Sequence, residues 1–115
     1  MFIVTTNDIP GYRILNVMGE VMGLTVRSTS FGQSFSSSFQ ALGGGEMPEF
    51  SRVMFESRNE ATARMWGEAV ARGANAIIAA RFDTGAIGSF FEVCAYGTAV
   101  LVEPVQAPAA VPPAA

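Results

Sequence analysis

Apolar residues recur along this chain in two rhythms, every second residue and every third or fourth, and the changes between them divide it into elements. Residues 2–4 form a short β-type run, ended by Thr5-Thr6-Asn7-Asp8-Ile9-Pro10-Gly11, where Asn-Asp and Pro-Gly are turn chemistry. Residues 12–28 are a long apolar stretch. Ile14, Met18, Met22, Leu24 and Val26 share one parity, and Leu15, Val17, Val21 and Thr25 share the other. Apolar character on both faces predicts a central strand, or a strand covered on its second side by another subunit. Gly19 and Gly23 suit bends or bulges in so long a strand.

The rhythm then changes. Phe31, Phe35, Phe39 and Leu42 follow a helical stripe within a Ser/Gly-rich stretch, which predicts a short helix over about residues 33–42, ended by Gly43-Gly44-Gly45. Residues 48–72 carry the clearest helical pattern, opened by Pro48 with Glu46 and Glu49 at its positive end. Phe50, Val53, Met54, Ser57, Ala61, Met65 and Ala69 make its buried face, and Glu60–Arg64 and Glu68–Arg72 are i,i+4 pairs on an exposed side. Gly73 ends it. Residues 75–83 and 90–103 read as strands joined by a hairpin loop over 84–89. Pairing Asp83 with Phe90 sets Arg81 opposite Glu92, a cross-strand ion pair, and Ala79 opposite Cys94. The predicted order is β–β–α–α–β–β: an α+β domain of two layers, one long and one short helix on an antiparallel sheet. Residues 1–103 form the single domain. Residues 104–115, with four of the chain's 6 prolines and no charge, read as a disordered tail.

Composition narrows the chemistry. The 115 residues are 50% hydrophobic and 15% charged, with a formal net charge of −3. That suits one small globular core and argues against disorder and against a nucleic-acid partner. The chain has no His, and all 7 of its basic residues are Arg. Without His there is no Ser–His–Asp or Cys–His pair and no imidazole for zinc; without Lys there is no Walker-type lysine or Schiff base. The chain therefore reads as non-catalytic. One Cys, no signal peptide and no long apolar run agree with a cytoplasmic protein, with no membrane partner.

The candidate site residues are few. Gly43-Gly44-Gly45 before a helix superficially suits a phosphate, yet Glu46 and Glu49 stand where an anion would bind, so a hinge is the better reading. Asp8, Glu20, Asp83 and Glu92 include the carboxylates an acid–base enzyme would need, though no spacing singles out a pair. Cys94 is the one soft ligand for a divalent or heavy metal, and the chain cannot complete a four-ligand site around it alone. Arg27, Arg81, Asp83, Glu92 and Tyr96, polar residues flanking apolar strands, are the candidate ligand-binding group. Interface ion pairs and hydrogen bonds are their simpler reading.

Seven motifs in order, IVTTNDIPGYRI, GEVMGLTVRS, GGGEMPEF, ESRNEATARM, GANAI, RFDTG and EVCAYGTAV, span residues 3–100. Together they resemble the YbjQ-like family of small bacterial proteins labelled heavy-metal-binding. The resemblance implies an α+β chain assembling as a homopentameric ring, with no established activity. It also implies a metal, but the family pattern carries an aliphatic residue where Cys94 stands, so no ligand is inherited. The expectation is a homo-oligomer that binds a small molecule or protein partner. Metal binding at inter-subunit carboxylates or Cys94 is a second reading, and a carboxylate-based enzyme a third.

Overall fold

The structure is a computed structural model that describes residues 2–28 and 48–106. These described residues form four strands and one helix: β1 (Phe2–Ile3), β2 (Tyr12–Ser28), α1 (Pro48–Ala71), β3 (Ala76–Ile87) and β4 (Phe90–Pro104). The strands form one sheet in the order β1-β3-β4-β2. This is the expected α+β, helix-on-sheet arrangement. The short helix over residues 33–42 and Gly43-Gly44-Gly45 lie outside the described residues.

Three expectations are corrected. The sheet is mixed: β1 runs parallel to β3, pairing Phe2 with Ala76 and Ile3 with Ile77. Such a short run carries no directional pattern of its own, so its pairing is decided by where the chain leads it. Second, among the described residues β2 is an edge strand and not a central one, with β4 alone pairing with it. Third, β3 and β4 continue through the segment expected to be a loop. The reversal is the two-residue turn Gly88-Ser89, with Gly88 at φ 58°, the backbone that a tight hairpin with glycine first requires. Asp83 therefore opposes Cys94, and Arg81 opposes Tyr96, so the Arg81–Glu92 pair does not form.

A bulge contributes to that register. Pairing between β3 and β4 shifts between Ile78 and Arg81, and Ala79 stands at φ 52°, a costly backbone for a residue with a Cβ. The N–H groups of Ala79 and Ala80 donate to the carbonyls of Thr6 and Val4, at 2.8 and 3.0 Å, which hold the bulge open. β2 bulges twice, between Ile14 and Asn16 and between Val17 and Gly19. Gly19, at φ 95°, supplies the second.

α1 buries Val53, Ser57, Ala61, Met65 and Ala69 of the expected face, while Phe50 and Met54 are half-buried. Ala61, Met65 and Ala69 meet Val21, Ile77, Val93, Ala95 and Ala99 of the sheet in the main core. The contact is closest at Gly23, where a Cβ would stand 2.0 Å from the Ala61 carbonyl oxygen and 2.4 Å from the Met65 nitrogen. Backbone touches backbone there. A smaller second core covers the opposite face at one end of the sheet, where Ile9, Ala76, Ile78, Val100 and Val102 pack under Phe2, Val4 and Tyr12. β4 reaches Pro104, and the Val105 N–H donates to the Gly11 carbonyl at 2.9 Å, so the ordered body extends slightly past residue 103.

Gly23→Ala forces the helix off the strand and should cost about 3 kcal/mol in denaturant unfolding. Gly67→Ala, in α1 with nothing within 4 Å of the added methyl, should instead stabilise the protein by roughly 0.5–1 kcal/mol.

Candidate functional site

Strand alternation sorts the polar candidates onto the two faces of the sheet. Val21, Gly23 and Thr25 of β2 face α1, and so do Phe91, Val93 and Ala95 of β4. The opposite face carries three rows across β2, β4 and β3. Met22, Tyr96 and Arg81 form the first, Leu24, Cys94 and Asp83 the second, and Val26, Glu92 and Gly85 the third. Five of the six candidates, Arg81, Asp83, Glu92, Cys94 and Tyr96, are thus neighbours on one face. The expected pairings are displaced by four residues along β4, and an even shift in register keeps each side chain on its face.

Arg27 stands apart. It lies toward α1, where its Nε donates to Ser57 Oγ at 2.6 Å and its Nη2 to Glu60 Oε2 at 3.0 Å. Ser57 is fully buried and donates to the Val53 carbonyl at 2.8 Å, while Thr25 Oγ1 donates to the Ser57 carbonyl at 2.9 Å. Arg27 is one end of a polar seam between helix and strand, which accounts for it structurally. Arg81 is also engaged, its Nη1 donating to the carbonyls of Thr5 and Ala80 at 2.8 Å each.

Around these polar groups the face is apolar and open. Met22, Leu24 and Val26 are 47%, 42% and 56% exposed, and Ile87 and Phe90 at the hairpin tip are more than half exposed. Val26, Ile87, Phe90, Phe91 and Glu92 line a shallow hollow of about 240 Å³. A second hollow, of about 560 Å³, lies along Arg13, Glu103, Pro104, Val105 and Gln106. Each holds a single carboxylate. Asp8, Glu20 and Asp83 lie exposed outside both.

Cys94 sits mid-face, half-buried. Burial pushes its thiol above the ordinary value, and the carboxylates of Glu92, Asp83 and Glu20 push it further the same way. At neutral pH the sulfur is a protonated thiol, a poor nucleophile and a poor metal ligand.

The fold and the ordered motifs now meet their relatives. A family model described as "Putative heavy-metal-binding", YbjQ, matches residues 1–103. The chain belongs to the YbjQ family. A UPF0145 protein of Mycobacteroides abscessus is 53% identical over 107 residues, covering 92% of this chain and 100% of that protein. Another, from Acidothermus cellulolyticus, is 52% identical over 103 residues, covering 89% and 95%. A solved structure from Pediococcus pentosaceus, described as a protein of unknown function in the DUF74 family, superposes with a TM-score of 0.60. It covers 90% of this chain and 98% of its own at 19% identity, a likeness of fold alone.

The metal in the YbjQ family's description does not fit the donors of one chain. Among the described residues no group of three or more His, Cys, Asp or Glu side chains converges, and the whole sequence offers one thiol and no imidazole. Among the described residues, too, no helix is long and apolar enough to cross a membrane.

Sequence reasoning named Glu20 only among the carboxylates and gave Met22 and Leu24 no part in a site, since it read β2 as central or covered on its second side by another subunit. Their shared parity was the available signal. Thiolate absorbance followed against pH should show Cys94 ionising above a free cysteine, and Glu92→Gln should lower that midpoint. The sign also applies to stability: the contribution of the neutral thiol is present below the unfolded-state value and is lost as pH rises through the folded one.

Proposed function

We propose that the protein is a non-catalytic, self-associating member of the YbjQ family, whose working unit is a ring of copies joined over the uncovered sheet face. One observation carries this reading: Met22, Leu24 and Val26 of β2 form a continuous apolar stripe beside Ile87 and Phe90, with nothing packed on it among the described residues. Contiguous apolar surface of this kind on a soluble chain marks an interaction site. The two faces of β2 differ in this respect, since α1 covers one and the other is left to a partner.

A second copy is the partner of choice, because a repeated interface needs only one self-complementary or head-to-tail surface. Five is the number the family resemblance implies. Within the ring, Arg81, Asp83, Glu92 and Tyr96 form the polar part of the face, where a small ligand or protein partner would bind. The net charge of −3 per chain disfavours anionic partners, nucleic acid included. The cytoplasm is the compartment that suits such a protein.

Native mass spectrometry of protein purified without chelator tests the reading. The expected spectrum shows five chains, and a single chain overturns the ring. Extra mass matching a metal ion would bring forward the family's description in place of ligand-free assembly. Leu24→Asp/Val26→Asp should dissociate the assembly while circular dichroism stays that of the folded chain. An intact assembly in that variant would place the interface elsewhere.

A further inference from the structure

β2 closes the sheet on one side, so from Met18 to Leu24 the backbone groups not paired with β4 point away from the sheet. An open edge of this kind is a template for a strand from another chain. Here it is occupied from within. Arg72 Nη1 donates to the carbonyls of Met18 and Glu20, at 3.2 and 2.8 Å. The Met22 N–H donates to Glu68 Oε2 at 3.2 Å, and Arg64 Nη1 donates to the Leu24 carbonyl at 2.5 Å.

The spacing explains the match. Residues 64, 68 and 72 are four apart along α1 and the turn that directly follows it, an advance of about 6 Å per step. Alternate residues of a strand advance about 6.6 Å, and only alternate residues turn their backbone groups outward. The helical row and the strand edge therefore stay in step over three contacts, running in opposite directions. Ion pairs with Glu60 and Glu68, at 2.5 and 2.8 Å, hold the Arg64 and Arg72 guanidiniums in place.

We propose that Arg64, Glu68 and Arg72 form an edge guard, which keeps the Met18–Leu24 edge from receiving a strand of a second copy of this chain. A second copy offers such a strand. Past Ala76 and Ile77, where β1 pairs, and Ala79 and Ala80, whose N–H groups reach Thr6 and Val4, the outer edge of β3 has no partner strand among the described residues. With both outer edges receptive, β3 of one copy would add to β2 of the next without limit. Closing β2 leaves one receptive edge and restricts assembly to surfaces that can close.

The test compares the unmodified full chain with Arg64→Ala/Arg72→Ala by sedimentation velocity over a wide concentration series. Arg13→Ala/Arg52→Ala is the control, removing the same charge from exposed ion pairs that do not reach this edge. The guard variant should form larger species at a roughly tenfold lower concentration, the equivalent of one charged hydrogen bond removed. In those species, hydrogen exchange should slow at the Glu20 and Leu24 amides. Arg64→Lys/Arg72→Lys keeps the charge and the stem, but one ammonium cannot span two carbonyls and a carboxylate. It should shift the same way by less, and it stands in if the alanine variant fails to fold. An unchanged distribution in the folded variants, equal association in the control, or protection away from β2 overturns the guard. Each comparison is with the unmodified chain, so a monomeric parent would overturn the ring without touching the guard.

Discussion

Much of this structure depends on the contact of α1 with β2 at Gly23, where the helix backbone lies directly on the strand. A side chain at position 23 would enter the space of the Ala61 carbonyl. So close an approach demands small or hydrogen-bonded neighbours, and Ala61, Ser57 and Thr25 meet that demand. The fully buried Ser57 both gives a hydrogen bond to Val53 and takes one from Arg27, so the seam carries no unsatisfied polar atom. Two elements pinned this way cannot slide along one another. Their fixed register is what brings Arg64, Glu68 and Arg72 to alternate residues of the strand edge.

Among the described residues, α1 covers one face of the sheet. Phe2, Val4, Ile9 and Tyr12 cover part of the other, at the end where β1 joins β3, and the remainder of that face is left uncovered among the described residues. It carries the apolar stripe of β2 and the polar rows of β3 and β4 together. The polarity is uneven. Arg81 is tied to the Thr5 carbonyl, whereas Asp83 and Glu92 contribute their charge to a field that opposes ionisation of Cys94. The thiol most easily imagined as a metal ligand therefore lies where burial first, and these charges after it, keep it protonated.

That bears on how the family's description is read for this chain. A soft-metal site needs several thiolates or imidazoles at tetrahedral spacing. One protonated thiol among exposed carboxylates meets neither the number nor the ionisation state. The chemistry on this face is instead that of recognition: apolar area to be covered, a cation held in place, and acids whose charge remains available.

By itself, the sequence determined the helix, its buried face and the existence of the flanking strands, because those follow from local periodicity. Val53, Ser57, Ala61, Met65 and Ala69 were legible as one stripe, and Gly19 as a bulge. It also determined which candidate residues share a face, since alternation along β3 and β4 survives an even shift in pairing. The tertiary structure decided the rest. It set β2 at the edge, β1 parallel to β3, and the turn at Gly88-Ser89 in place of a longer loop, since strand order and register depend on contacts far apart in the chain. It also took Arg27 from the candidate site into the helix–strand seam and turned two surface ion pairs into contacts with a strand edge. Those roles depend on where a side chain's end lies, and that position is set by packing between elements, which no local pattern encodes.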